Sequence, residues 1–186
     1  QFNKWFSEAM EAEALEPNAM SLATINNEHR PSCRIVLLKG IEGDRFLFFT
    51  IYQSHKGKDL ENNPVCALTF FWPEVERQVR IEGNVTRVDD RKSEEYFQSR
   101  PIGAQIGAWS SPQSTVISGR EILEERVKQM EKKFEGQRPL PKPHQWGGVQ
   151  VEPLMIEFWQ GRENRLHDRI EYRMENGTWK LQRLAP

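Results

Sequence analysis

Five groups of side chains in this sequence have the types and spacing to do chemistry. Arg34 and Lys39 bracket an apolar run, RIVLLK, and His55, Lys56 and Lys58 follow Ser54. Lys56 and Lys58 fall in the first turn of a short predicted helix, whose amides and dipole also favour an anion. A phosphate there gains charge and directed donors together. A solvated basic helix end uses the same residues with no ligand at all. Arg34 and Lys39 are five residues apart on a predicted strand, so period-two alternation sends them to opposite faces and to separate roles. On a later strand, Gln78, Arg80 and Glu82 alternate with Val79 and Ile81. They are either a wet strand face or, for Gln78, a group able to donate to and accept from the edge of a heterocycle.

Tyr96 and Arg100 stand four apart at the end of a predicted helix, with Gln105 beyond Pro101. They share a helix face and suit a phosphate; equally, Tyr96 packs and Arg100 complements the helix C-terminus. Gln113, Ser114 and Thr115 offer amide and hydroxyl donors in a loop. The densest group is EFWQG at 157–161 followed by RLHDR at 165–169. An extended backbone would turn Arg165, His167 and Arg169 to one side, with Asp168 on the other. Crowded cations need compensation. Either Glu157, Glu163 or Glu171 supplies it structurally, or an anionic or electron-rich ligand lies there against Trp159 as a flat wall.

These groups need elements to position them. Residues 2–15 read as an amphipathic helix ended by Pro17, with Phe2, Phe6, Ala9 and Met10 at helical spacing. Strands are predicted at Ala19–Ile25, Ser32–Lys39, Arg45–Thr50, Val65–Trp72, Val75–Val88 and Gly148–Gln160. Ser54 caps a helix to about Asn62, and Asp89 starts another through Ser99. Ser118 and Glu121 form a capping box for a long helix to Phe134, with Gly136 just past it. PLPKP at 139–143 is an extended connector. Ile170–Met174 and Thr178–Leu184 flank Asn176-Gly177, the strongest hairpin signal in the chain. Short strands with scattered helices predict a mainly β (α+β) single domain over residues 1–186: a compact, antiparallel Greek-key barrel with peripheral helices. A glycine-rich dinucleotide loop and a phosphate-binding loop of the nucleotide hydrolases are both missing.

The 186 residues carry 26 basic and 27 acidic side chains, a formal net charge of −1, which gives no global pull toward nucleic acid or an anionic membrane. An anion site must therefore come from local clustering. No apolar run is long enough for a membrane span, and Glu8, Glu11 and Glu13 interrupt any leader-like stretch. Cys33 and Cys66 lie in no metal or redox spacing and read as reduced packing thiols, which predicts a reducing, cytoplasmic setting and no metal site. The chain begins at Gln1, from which a trimmed natural N-terminus is expected.

Taken in order, RIVLLK at 34–39, GKDLENNP at 57–64, RQVR at 77–80, YFQSRP at 96–101, QIGAW at 105–109, EFWQG…NRLHDR at 157–169 and RLAP at 183–186 resemble the pyridoxine (pyridoxamine) 5'-phosphate oxidase family. The resemblance spans essentially the whole chain. It implies an FMN-binding split β-barrel that works as a homodimer with flavin between the subunits. It also implies oxidation of pyridoxine or pyridoxamine 5'-phosphate to pyridoxal 5'-phosphate, with O2 as acceptor and H2O2 released. For FMN it implies Arg34, His55 and Lys56 at the phosphate; Ile35, Val36, Leu37, Leu38, Lys39, Phe49 and Thr50 along the flavin; Gln78 at its polar edge; Gln113 and Ser114 from the partner region; and Trp159 and Arg169 completing the site. For the substrate it implies Lys39, Tyr96 and Arg100 at the phosphate, and Arg165, Leu166 and His167 over the pyridine ring, with Arg165 and His167 as the catalytic pair. Two positions depart from the family pattern: His55 stands where an arginine is usual, and Ala104 where a serine is usual. The first predicts weaker or more pH-dependent FMN binding. The second predicts the loss of one hydroxyl contact, worth about 0.5–1.5 kcal/mol or more to a charged group. The family's N-terminal segment, which can help cover the active site, is not in this sequence. A flavin or pyridoxal-phosphate carrier on the same fold, and a reductase using a nicotinamide or deazaflavin donor, are the competing readings.

Overall fold

In the computed structural model, residues 1–12 and 14–186 are described. Nine strands and five helices are found among them: α1 (Phe2–Glu11), β1 (Ala19–Ile25), β2 (Pro31–Leu37), β3 (Gly40–Glu42), β4 (Arg45–Ile51), α2 (His55–Asn62), β5 (Val65–Trp72), β6 (Arg77–Arg87), α3 (Asp90–Ser99), α4 (Ile102–Ser110), α5 (Glu121–Lys133), β7 (Trp146–Gln160), β8 (Asp168–Glu175) and β9 (Thr178–Leu184). All strand pairings are antiparallel. The main path runs β2-β1-β5-β6-β7-β4-β3, and β8 and β9 extend from β7. The long β7 is the spine: its first half pairs with β4 and its second half with β8, while β6 runs along it. The sheet curls until β2 meets β4, forming a half-barrel.

Alternation explains the core. In β5, Cys66, Leu68, Phe70 and Trp72 are buried while Val65 and Phe71 are exposed. Phe2 of α1 closes one end of this core, with its ring edge-on to Phe46 and Phe70. A second, smaller core joins Ile51, Phe97, Ile106, Phe134, Leu140 and Trp146 beneath α3, α4 and α5. Burial pushes the Cys66 thiol up to about 12, so it is an inert packing group.

Four sequence expectations are corrected. Helix α1 stops at Glu11 rather than reaching residue 15; Ala14 instead turns back, its amide bonding the carbonyl of Ala9 and its side chain buried. Glu13 of the expected helix lies outside the described residues. The capping box does not form: α5 starts at Glu121 after Arg120, with no side-chain cap. The strand expected to reach Lys39 ends at Leu37, because Leu38 turns into the core and its amide bonds Asn18 O. Helix α4 was not anticipated. Its sequence, IGAQIGAWS, has two glycines and little polar alternation, since Gln105, Ile106, Ala108 and Ser110 are all buried. The Asn176-Gly177 hairpin forms as expected, both residues at positive φ (52° and 78°) between paired Glu175 and Thr178.

Candidate active site

The curl of the sheet opens a cleft of about 500 Å³ between β2, β4 and the ends of α3 and α4. Ile35, Val36 and Leu37 of β2 form one wall, and Phe49, Thr50 and Ile51 of β4 form another. Tyr96 and Arg100 enter from α3, Ala104, Gly107 and Ala108 from α4, and Ser111 and Gln113 from the loop that follows. Lys39, Lys56 and Trp146 complete it. Three of these residues are cations, Lys39, Lys56 and Arg100, and none is acidic.

That imbalance shows in the local chemistry. Arg100 Nη1 is buried and has no hydrogen-bond partner, and neither has Thr50 Oγ1. Buried polar atoms are nearly always satisfied, so two orphans in one cleft point to a ligand. Desolvation lowers the pKa of Arg100, and burial followed by the charge of Arg34 lowers that of Lys56. An anion would reverse both effects. Burial raises the Tyr96 phenol, with Arg100 opposing, so Tyr96 keeps its proton and stands as a donor for an anion. Lys56 is aimed by a hydrogen bond to Gln113 Oε1 (2.9 Å), at the start of a helix that Ser54 caps by accepting from the Gly57 amide. Phe49, Tyr96 and Trp146 stack nearly parallel, with Phe49 and Tyr96 centroids 4.0 Å apart.

Arg34 does not line this cleft. Its guanidinium bonds Leu22 O, Thr24 Oγ1 and Ser32 Oγ, and lies 3.9 Å from the buried carboxylate of Asp59. Asp59 also sits 3.8 Å from the imidazole of His55, which is exposed. Leu38 is a core residue, and Ser114 is exposed beside the cleft-lining Gln113.

The remaining predicted residues form a second group on the outer face of the sheet. Gln78, Trp159 and Arg169 are direct cross-strand partners on β6, β7 and β8 and so share one face. Arg169 donates to Glu157 at 2.7 Å, and Arg80 donates to the same buried carboxylate at 3.1 Å. Asp168 takes Arg162 at 2.8 Å and Arg183 at 2.6 Å, and both bonds lower its pKa. The expected one-sided alternation of Arg165, His167 and Arg169 is not seen. Asn164 and Arg165 both have positive φ (55° and 60°) in a short turn, and the strand begins only at Asp168. Arg165 and Leu166 are exposed, and neither Arg165 nor His167 has a carboxylate partner among the described residues. The Arg162 amide donates to His167 Nδ1 at 3.1 Å, which leaves the Nε2 side of the ring for a ligand. The His167 ring lies 4.6 Å from that of Trp159. None of this second group lines the first cleft.

A family profile described as "Pyridoxamine 5'-phosphate oxidase" matches residues 6–134, and one described as "Pyridoxine 5'-phosphate oxidase C-terminal dimerisation region" matches 146–186. The chain belongs to the pyridoxamine 5'-phosphate oxidase family. Relatives named pyridoxine/pyridoxamine 5'-phosphate oxidase include one from Cyanothece sp., 52% identical over all of this chain and 87% of its own length. Another, from Leptospira biflexa, is 55% identical with the same coverage. Among solved structures, PhzG from Burkholderia lata, in complex with tetrahydrophenazine-1-carboxylic acid, superposes with a TM-score of 0.93 at 27% identity, covering all of this chain and 90% of that one. A pyridoxamine 5'-phosphate oxidase-related, FMN-binding protein from Nostoc punctiforme gives 0.79 at 17% identity, over 100% and 97% of the two chains, and supports the fold. The split barrel expected from the sequence is therefore the fold of this family member.

Trp146, Ile51, Gly107, Ala108 and Ser111 line the cleft without having been anticipated. One signal did exist for Trp146: the paired glycines after it. A Cβ on Gly147 would lie 2.1 Å from the Tyr52 hydroxyl oxygen, and one on Gly148 2.9 Å from a Phe49 ring carbon, so the missing side chains make room for these rings beside Trp146. The described residues contain no metal-ligand cluster and no helix long and apolar enough to cross a membrane.

Proposed function

We propose that this chain is an FMN-dependent oxidase of pyridoxine 5'-phosphate or pyridoxamine 5'-phosphate, yielding pyridoxal 5'-phosphate, and that residues 1–186 act as a single FMN-binding domain in a cytoplasmic homodimer. The observation that carries the reading is the cleft with three cations, no acid and a buried guanidinium nitrogen lacking a partner. A dianionic phosphate supplies what that arrangement lacks. The fit to FMN rests on the apolar walls of β2 and β4, the orphan hydroxyl of Thr50, and Lys56 with Gln113 at a helix start.

When bound, FMN supplies the two-electron acceptor that no side chain provides. Lys56 holds the flavin phosphate, with Gln113 of the same chain beside it rather than from the partner region. Arg34 acts from behind the wall, bonded to β1 and Asp59, and adds charge there. Lys39, Tyr96 and Arg100 fix the substrate phosphate, so a remote charge orients the reacting carbon. Gln78, Trp159, Arg169, Arg165, Leu166 and His167 come from the partner's outer sheet face, which accounts for their standing apart from the cleft in one chain. His167 presents Nε2 and Arg165 its free guanidinium to the pyridine ring, stabilising charge that develops there. The alcohol loses two hydrogens to become the aldehyde while O2 becomes H2O2. The amine follows the same course, with water consumed and ammonia released.

The test is direct. Purified protein should be yellow and should release peroxide in air when either phosphorylated vitamer is added. A yellow protein giving no peroxide with both would move the chain to the carrier reading.

A further inference from the structure

We propose that Trp146 is the positioning residue for Arg100: its indole holds the guanidinium in place without neutralising it, and so sets affinity for the substrate's phosphate. The inference rests on the reading of this cleft as a phosphate site.

A long side chain such as arginine gives up much rotamer freedom when it is fixed, and most buried arginines are fixed by a carboxylate. Here that device is missing. Arg100 makes no ion pair among the described residues, and no acid lines the cleft. A carboxylate would also compete with the incoming phosphate for the same donors. Instead, Arg100 Cζ lies over the Trp146 ring, 5.1 Å from its centroid, and over Phe97 at 5.7 Å. A contact with a π-face attracts the cation but takes none of its N–H groups away from an oxygen ligand. Nη1 is accordingly buried and unengaged.

The platform itself is held firmly. Trp146 begins β7 opposite Ile51 of β4, and its ring stacks on Phe49 at 5.1 Å and 10°. Its carbonyl accepts from Lys142 Nζ (3.1 Å), and Lys142 in turn pairs with Asp90 at 2.7 Å. Asp90 opens α3, the helix whose C-terminal end carries Arg100. At that end, Gln105 Nε2 donates to Arg100 O at 2.8 Å, fixing the backbone. Indole and arginine are thus tied into one frame at both ends of α3.

The experiment uses the FMN-loaded protein and inorganic phosphate as a competitive inhibitor of pyridoxine 5'-phosphate oxidation. Trp146→Leu should raise the phosphate inhibition constant and the substrate KM about tenfold. Its kcat should stay within about twofold and its flavin-to-protein ratio unchanged. Trp146→Phe should recover most of the loss, remaining about threefold weaker than the parent. A general loosening of the core would instead lower kcat and flavin retention together with affinity, and that pattern overturns the proposal. So does an unchanged inhibition constant in Trp146→Leu. If that variant fails to fold, Trp146→Phe decides, and a parental inhibition constant overturns the proposal. Arg100→Leu separates the two levels: no effect of that change on phosphate inhibition would defeat the phosphate reading of the cleft itself.

Discussion

Two regions of this molecule are rich in arginine and lysine, and they treat those charges in opposite ways. On the outer face of β6, β7 and β8, buried Glu157 takes Arg80 and Arg169, and buried Glu171 takes Arg173 at 2.8 Å. The cleft presents Lys39, Lys56 and Arg100 with no carboxylate among its lining residues. In the first region cations and acids satisfy each other and fasten strands together. In the second, Arg100 is held by aromatic rings and Lys56 by the Gln113 amide, and no acid takes their charge. Counting basic residues would not separate these regions; asking which cations are neutralised does.

That contrast can be broken or sharpened by experiment. Glu157→Gln takes the shared carboxylate from Arg169 and from Arg80, which keep Ala185 O and Glu82 respectively, and should cost about 3 kcal/mol of stability for two charge-assisted bonds, read from the urea unfolding midpoint. Arg100→Leu should behave in the reverse sense. It should raise the KM for the phosphorylated substrate about 100-fold, the worth of charge-assisted hydrogen bonds, while shifting the unfolding midpoint far less than Glu157→Gln, because no carboxylate is left behind and only the contact with the Trp146 and Phe97 rings is lost. A large stability loss in that variant would erase the distinction between the regions.

Arg165→Ala tests the exposed loop that belongs to neither pattern. Turnover should fall about 30-fold with flavin content retained. Loss of flavin from a variant whose remaining loaded fraction is fully active would reassign Arg165 to the cofactor. A pH titration probes the cleft next. Phosphate binding needs the charged form of Lys56, whose pKa is lowered by burial and by Arg34. FMN affinity should therefore decline as pH rises through that lowered pKa, by about tenfold in all, earlier than an unperturbed lysine would allow. Lys56→Arg should remove the decline from the accessible range, as flavin fluorescence titrations would record. The smallest effect is expected at His55, which is exposed and 3.8 Å from Asp59. His55→Arg should tighten FMN retention about threefold after dialysis.

Much of the site was legible because its residue types are costly to bury without a purpose. Tyr96 and Arg100 four apart, Lys56 after a serine cap, and an apolar strand from Ile35 to Leu37 all come together in one cleft. The role of Arg34 was harder to read. Its distance from the cleft depends on Thr24 and Asp59, which local sequence does not connect to it. The run from 165 to 169 misled alternation because two successive residues at positive φ interrupt the extended backbone. Helix α4 was hidden by its composition: polar Gln105 and Ser110 are buried while Ile102 is exposed, so no apolar stripe marks its period.

The sequence by itself determined the strands other than the short β3, the hairpin at Asn176-Gly177, the family and most of the candidate side chains, since these follow from alternation, turn chemistry and ordered motifs. Only the tertiary structure decided which cations are paired and which are left open. Whether a charge finds a partner depends on residues far apart in the chain meeting across a curled sheet, as Arg80 meets Glu157 and Arg100 meets Trp146.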